Sequence, residues 1–349
     1  YMTRVILMLS YYLGLVKRSK GHRSASKFSV IQPIVSGDVT LESCLKRNVA
    51  QVQDIHFIWV VDHHDKEAIR VVEKIKKESK SSIKIIVAGE IPPNINEKVW
   101  KQKLALPHAR EYFIAVDDDG VISYDMLDEM KDRLDTSPCV LTGLPYYRMG
   151  SDFLSNLVVG FVNGNTLLTY LVMAKLGPTN NLNGMYYVSK KSTFETLNLF
   201  EKVEEKLSDE YEIAQVLKEN NIDIRQDIVT CEVGTSIDGL GHYVSLMKRW
   251  MVFVKIYMKG QLKLGILFTI VIPTALPLII VILALVTDPI LALGALVVEV
   301  VLGVNNYYLR KNLLNIEENM SIIIYEVLAR YLQPCHYLNS LIKPRAIIW

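Results

Sequence analysis

Cysteine is scarce. The chain has four, Cys44, Cys139, Cys231 and Cys335, far apart and with no C-x-x-C pair. That spacing excludes a disulfide framework and the usual structural zinc patterns, so reduced thiols are expected. An excess of one charge is lacking too: 39 basic against 37 acidic residues leave a formal net charge of +2. A strongly basic nucleic-acid binder is thereby excluded, and no nucleic-acid partner is expected. Charged residues make up 22% of the chain and hydrophobic ones 50%, which excludes a disordered polypeptide. No short repeat is visible, which removes fibrous architectures.

Apolar residues are abundant and unevenly placed. From Leu264 to Thr287 the chain runs 24 residues without a charge. At about 1.5 Å per residue this crosses a hydrocarbon core of about 30 Å, and a membrane helix tolerates Pro273 and Pro277. After a Thr287-Asp288-Pro289 turn, Ile290 to Leu309 is interrupted by Glu299 alone. The pattern predicts a hairpin of two membrane helices. Lys248, Arg249, Lys255, Lys259 and Lys263 precede it, Arg310 and Lys311 follow it, and the turn carries neither Lys nor Arg. The positive-inside rule therefore predicts an integral membrane protein with both hairpin ends, and the region before them, on the cytoplasmic side.

The remaining apolar stretches are less regular. Val5 to Val16, followed by Lys17, Arg18, Lys20 and Arg23, reads as the cytoplasmic end of a membrane helix. It does not read as a signal peptide, because the charges follow the apolar run. Tyr1 precedes Met2, so upstream residues are expected to be missing. Met320 to Ile342 carries Glu326, Arg330, Gln333 and Pro334, which predicts an interfacial helix or a third span. His242 to Met258 is basic, with Leu246, Trp250, Val254 and Met258 at helical spacing, and predicts an amphipathic helix at the headgroup level.

The middle of the chain alternates strand and helix. Strands are predicted at Phe28 to Val35, Ile55 to Val61, Ile83 to Ala88 and Tyr112 to Val116, where β-branched and aromatic residues cluster. Helices are predicted at Thr40 to Gln53, Asp65 to Ser79, Asn96 to Arg110 and Tyr124 to Leu134. Such alternation predicts an α/β fold with a mostly parallel sheet. The expected organisation is a membrane helix and basic linker over 1–23, a catalytic domain over 24–240, the amphipathic helix over 241–262, the hairpin over 263–311 and an interfacial or third membrane helix over 312–349.

Parallel sheets bind ligands at the carboxyl ends of their strands. That rule singles out Asp62 and the run Asp117-Asp118-Asp119-Gly120. Alternating residues on an extended segment point the same way, which would put Asp117 and Asp119 on one face. Carboxylates in such a place suit Mg²⁺ or Mn²⁺ beside a diphosphate. Further on, Asp209 and Glu210 open a helix, where either could cap it or serve as a general base. His63-His64 reads as a solvated pair, and Glu299 is left without a role.

The order of these pieces resembles the ceramide glucosyltransferases and their prokaryotic relatives, among the family 2-like membrane glycosyltransferases. The matching segments are VVDHHD around Asp62, NINEK ending at Lys98, AVDDDG at Ala115 to Gly120, TGLPYY at Thr142 to Tyr147, LNGMYYVSKK at Leu182 to Lys191, DEYEIA at Asp209 to Ala214 and KRW at Lys248 to Trp250. The resemblance extends to the terminal Ile347-Ile348-Trp349. It implies a GT-A fold and inverting transfer of a hexose, glucose in that family, from a UDP-sugar to a lipid hydroxyl. It further implies that Asp62, Lys98 and Asp117 lie near the donor nucleotide, and that Asp117 and Asp119 form the metal-binding Asp-x-Asp. Arg249 and Trp250 end the family's (Gln/Arg)-x-x-Arg-Trp motif, implying contact with diphosphate and acceptor. Two positions depart from the pattern. Glu210 stands where the family has its catalytic Asp, leaving Glu210 or Asp209 as the base, and Leu246 stands at the Gln/Arg position. Alternatives are a polyisoprenyl-phosphate glycosyltransferase, a processive polysaccharide synthase and a non-catalytic membrane scaffold.

Overall fold

The computed structural model describes residues 1–16, 25–51, 54–124, 126–206, 208–258 and 264–342. Lys17, Arg18, Lys20, Arg23, Lys259, Lys263 and the terminal Ile347 to Trp349, used above, lie outside them. The chain divides into two compact units. One comprises Gly14–Pro145 and Pro178–Val233, the other Tyr1–Leu13, Tyr146–Gly177 and Gly234–Trp349.

The first unit is built on a sheet of β1 (Phe28–Pro33), β2 (His56–Asp62), β3 (Ser82–Ala88), β4 (Tyr112–Val116), β5 (Gly120–Ile122), β6 (Cys139–Tyr147), β7 (Tyr186–Lys190) and β8 (Asp223–Val233). Their order is β3-β2-β1-β4-β7-β6-β8-β5. The first four are mutually parallel, joined by crossover helices Leu41–Gln51, Lys66–Glu78 and Glu97–Ala105. This is the α/β arrangement the sequence pattern predicts. β7 then runs antiparallel to both β4 and β6, and β5 antiparallel to β8. β1, β2 and β4 are buried almost throughout because helices cover both faces, so their sequences read as continuous apolar runs rather than alternating ones. Ile31, Ile58, Val60, Phe113, Tyr187 and Phe194 belong to one core cluster, each burial contributing about 1.5–3 kcal/mol.

The second unit is helical. Among the described residues three helices are long and apolar enough to cross a membrane: Phe153–Leu176, Leu264–Thr287 and Pro289–Leu314. The last two are the expected hairpin, with Asp288 capping the second through Ile290 N–H at 2.8 Å. The first escapes a sequence scan because Asn156, Asn163, Asn165 and Thr166 interrupt its apolar run. Those polar groups have protein partners: Asn163 donates to Tyr147 C=O and accepts Tyr147 N–H, both at 2.8 Å.

Ile322–Leu341 packs on Phe153–Asn165, and glycine permits the close approach. A Cβ on Gly160 would lie 2.5 Å from the Tyr325 carbonyl carbon. The charges that made this segment ambiguous in the sequence are paired. Glu326 binds Arg310, which is fully buried and also reaches Glu318 at 2.8 Å, and Arg330 binds Glu299. Glu299 thus holds a packing charge.

The amphipathic helix spans Leu240–Met258, but its buried stripe is Tyr243, Met247 and Met251. The predicted stripe through Leu246, Trp250 and Val254 is partly exposed. A Tyr243–His336 hydrogen bond at 2.9 Å fixes the rotation of the helix, which composition alone did not reveal.

Candidate active site

β2 and β4 flank β1 in parallel, so Asp62 and Asp117 end at the same sheet edge, roughly 10 Å apart by two strand spacings. The aspartate triplet leaves the strand as a turn rather than extending it: Gly120 N–H donates to Asp117 C=O at 3.1 Å. Strand alternation therefore does not extend through the triplet, and Asp118 is engaged separately, its Oδ2 accepting Val35 N–H at 2.9 Å. Gly120 is required here, since a Cβ would meet Val116 Cγ1 at 2.8 Å. Gln32 of β1 donates to Asp117 C=O at 3.2 Å and accepts Trp59 Nε1–H at 3.0 Å, which ties the turn to the sheet.

Helix Glu97–Ala105 begins at Asn96, whose side chain accepts Val99 N–H at 3.2 Å. This cap sets the phase of two lysines that share one helix face three residues apart. Lys101 is fully buried. Its ammonium lies 2.6 Å from both Asp62 Oδ2 and Glu97 Oε1 and donates to Ile34 C=O at 3.0 Å. A buried ammonium persists only with such partners. Asp62 Oδ1 is buried and has no hydrogen-bond partner among the described residues.

Lys98 faces the other acids. Its Nζ lies 2.8 Å from Asp117 Oδ1, 3.7 Å from Glu210 Oε1 and 3.9 Å from Asp209 Oδ2, and donates to Gly184 C=O at 3.1 Å. One ammonium thus gathers three residues singled out from the sequence. Burial pulls the Lys98 pKa down, but Asp117, Asp209 and Glu210 together raise it well above the ordinary lysine value.

Asp209 and Glu210 start helix Asp209–Glu219, and Asp209 is buried. Glu210 folds over Gly184, where a Cβ would stand 1.8 Å from Glu210 Oε1. The extra methylene of glutamate is accommodated because position 184 has no side chain. Burial, reinforced by Asp209 and opposed by Lys98, raises the Glu210 pKa to about 7.

Asp117 and Asp119 are the candidate metal donors. Among the described residues no group of three or more His, Cys, Asp or Glu forms a metal-binding cluster. Two carboxylates still fit Mg²⁺ or Mn²⁺, because these ions complete their shells with phosphate oxygens and water. Asp119 supports the fit. Burial, then Asp117, Asp118 and Asp38, raise its pKa to about 8, and no hydrogen bond or ion pair engages its carboxylate among the described residues. The acidic neighbours add negative potential, offset in part by Lys98, that a cation would relieve.

Arg249 and Trp250 belong to the helical unit. The Trp250 ring stacks on Tyr147 at 6.1 Å and on Phe161 at 5.9 Å. His63 and His64 are exposed, as expected of a solvated pair.

The sequence matches Glycosyl transferase family 21 over residues 2–349. The chain belongs to that family. As a member it transfers a sugar from a nucleotide-sugar donor, and the family-level resemblance read from the sequence holds.

Comparison with curated proteins gives no match. Solved structures that this chain matches include the mannosyltransferase PcManGT from Pyrobaculum calidifontis in complex with GDP-Man and Mn²⁺. It is 14% identical, with 95% of this chain and 96% of that one aligned and a TM-score of 0.48. S. aureus TarS in complex with UDP-GlcNAc is 13% identical over 90% of this chain and 92% of that one, with a TM-score of 0.41. GalNAc-T7 with UDP, GalNAc and Mn²⁺ is 10% identical over 65% and 48%, at 0.46.

Within this family 21 chain, sequence reasoning missed Lys101, Gln32 and Gly184. Lys101 carried a usable signal, its i, i+3 spacing from Lys98 on a helix that follows a strand. Gly184 carried none, because its need arises from a side chain 26 positions away in the sequence.

Proposed function

We propose that this family 21 enzyme moves a hexose, glucose by its resemblance to the ceramide glucosyltransferases, from a UDP-sugar to a hydroxyl of a membrane lipid with inversion. The observation that carries this reading is the Lys98 ammonium held among Asp117, Asp209 and Glu210. Acid–base groups and the candidate diphosphate site therefore share one small region.

Glu210 is the proposed general base. A carboxylate with a pKa near 7 beside a second acid suits proton abstraction at neutral pH. Glu210 takes the hydroxyl proton, the acceptor oxygen bonds to the anomeric carbon, and the bond to the diphosphate breaks. Asp209 positions Glu210 and sets its basicity. Asp117 and Asp119 would hold Mg²⁺ or Mn²⁺, which supplies charge neutralisation of the leaving diphosphate. Lys98 adds a positive charge near it. Asp62, fixed by Lys101, keeps the donor-nucleotide role that the resemblance gives it. Arg249 and Trp250 keep the diphosphate and acceptor roles that the Arg-Trp motif gives them. The three apolar helices anchor the enzyme where a lipid acceptor resides, with the catalytic unit on the cytoplasmic side.

The test incubates purified protein with UDP-hexoses and with hydroxyl or phosphorylated lipids, and reads products by mass. A hydroxyl-linked glycolipid formed by the wild type and lost in E210Q is the expected result. Transfer only to phosphorylated lipids, or full activity of E210Q, would overturn the reading.

A further inference from the structure

We propose that Lys98 is a positioning residue which a divalent cation relocates: the ion arriving on Asp117 displaces the ammonium, which passes to Glu210 and Asp209. The proposal rests on the preceding assignment of Asp117 as a metal donor.

The geometry supplies the competition. Lys98 Nζ stands 2.8 Å from Asp117 Oδ1, so the ammonium occupies the carboxylate that would hold the cation. An ammonium and a dication on one carboxylate repel each other strongly. A place to go is already at hand: Glu210 Oε1 lies 3.7 Å and Asp209 Oδ2 3.9 Å from the same nitrogen. A lysine side chain is flexible enough to close such a gap. Its bond to Gly184 C=O, 3.1 Å, supplies a pivot, because Gly184 is the residue over which Glu210 is folded. The neighbouring Asp119 carboxylate, without hydrogen bond or ion pair among the described residues, gives the cation a second oxygen donor.

This arrangement couples two events. Without the cation, Lys98 is shared with Asp117 and holds Glu210 loosely. With it, the ammonium clamps Glu210 in place. The acid that takes the acceptor proton is then ordered only when the ion that neutralises the leaving diphosphate is present. Premature attack by water on the donor is disfavoured.

The experiment measures affinity for Mn²⁺ alone, by the electron paramagnetic resonance of free ion, on the full chain in detergent. K98M removes the competitor and should tighten binding about two- to fivefold, the size of a partly exposed ion pair. K98R keeps the charge and should bind as wild type does. E210Q removes one of the two acids that receive the ammonium, so it should weaken Mn²⁺ binding in the wild-type background and have little effect in the K98M background. Unchanged or weaker binding by K98M, or an E210Q effect of equal size in both backgrounds, overturns the proposal. If K98M does not fold, K98Q carries the same comparison. If the wild type transfers sugar yet binds no Mn²⁺, the metal assignment itself fails, an outcome separate from Mn²⁺ binding without coupling.

Discussion

Lys98 Nζ lies 2.8 Å from Asp117 Oδ1, and one helical turn further on Lys101 Nζ lies 2.6 Å from Asp62 Oδ2. A single helix, Glu97–Ala105, therefore supplies counter-charges to the aspartates at the mouths of two strands. The pairs differ in setting. Lys98 is partly exposed and has three carboxylate neighbours, whereas Lys101 is sealed in the core.

The Glu210 pKa of about 7 sets a pH dependence. The base works ionised, so kcat should climb with pH along a limb that lies below 7 in the Mn²⁺-loaded enzyme, because the relocated Lys98 lowers the Glu210 pKa further. D209N removes a neighbour that raises this value and should move the limb to lower pH, while K98M removes one that lowers it and should move the limb up. E210Q should lose on the order of 100-fold or more in kcat. In stability the sign is opposite. The folded-state pKa lies above the unfolded value of about 4.3, so this group stabilises the fold at acid pH and its contribution is lost as pH rises through 7. Metal-free wild type should melt lower at pH 8 than at pH 5, and E210Q should reduce that difference.

G184A should separate folding from catalysis. The added methyl meets Glu210 Oε1, Cδ and Cγ first, at 1.8–2.5 Å, and this side chain can swing aside. The melting temperature should change little, while kcat falls by on the order of 100-fold from a carboxylate displaced by about 1 Å. Unimpaired turnover in a folded G184A protein would rule Glu210 out as the base.

Chelation should abolish transfer, and added Mn²⁺ or Mg²⁺ should restore it. D119N should raise the cation concentration needed for half-maximal rate by tenfold or more, since it weakens one of only two carboxylate donors. A titration of rate against Mn²⁺ checks this, and a D119N curve overlying the wild type would count against the assignment.

R310M should cripple the helical unit. It leaves the buried Glu318 and Glu326 without their counter-charge, a loss of about 3–5 kcal/mol. Thermal unfolding in detergent reads the change directly. A variant removing all three charges together, R310M/E318Q/E326Q, should recover part of the loss.

The parallel half of the sheet was legible in the sequence. β4 falls where YFIAV predicts it, and β1 to β3 begin and end within two residues of expectation, because buried parallel strands must be continuously apolar. The hairpin was legible for a similar reason, as hydrocarbon admits no charge without a partner. The antiparallel strands β6 to β8 and the helix Phe153–Leu176 were not, since their polar residues are tolerated through distant partners such as Asn163 with Tyr147.

The sequence by itself determined which acids stand at strand ends, since periodicity and chain order fix where each strand stops. Only the tertiary structure decided that Asp117, Asp209 and Glu210 converge on Lys98, that Lys101 backs Asp62, and that Gly184 makes room for Glu210. Those relations join residues up to 112 positions apart. Ion pairing and steric fit at such separations depend on how helices pack on the sheet, which local pattern does not encode.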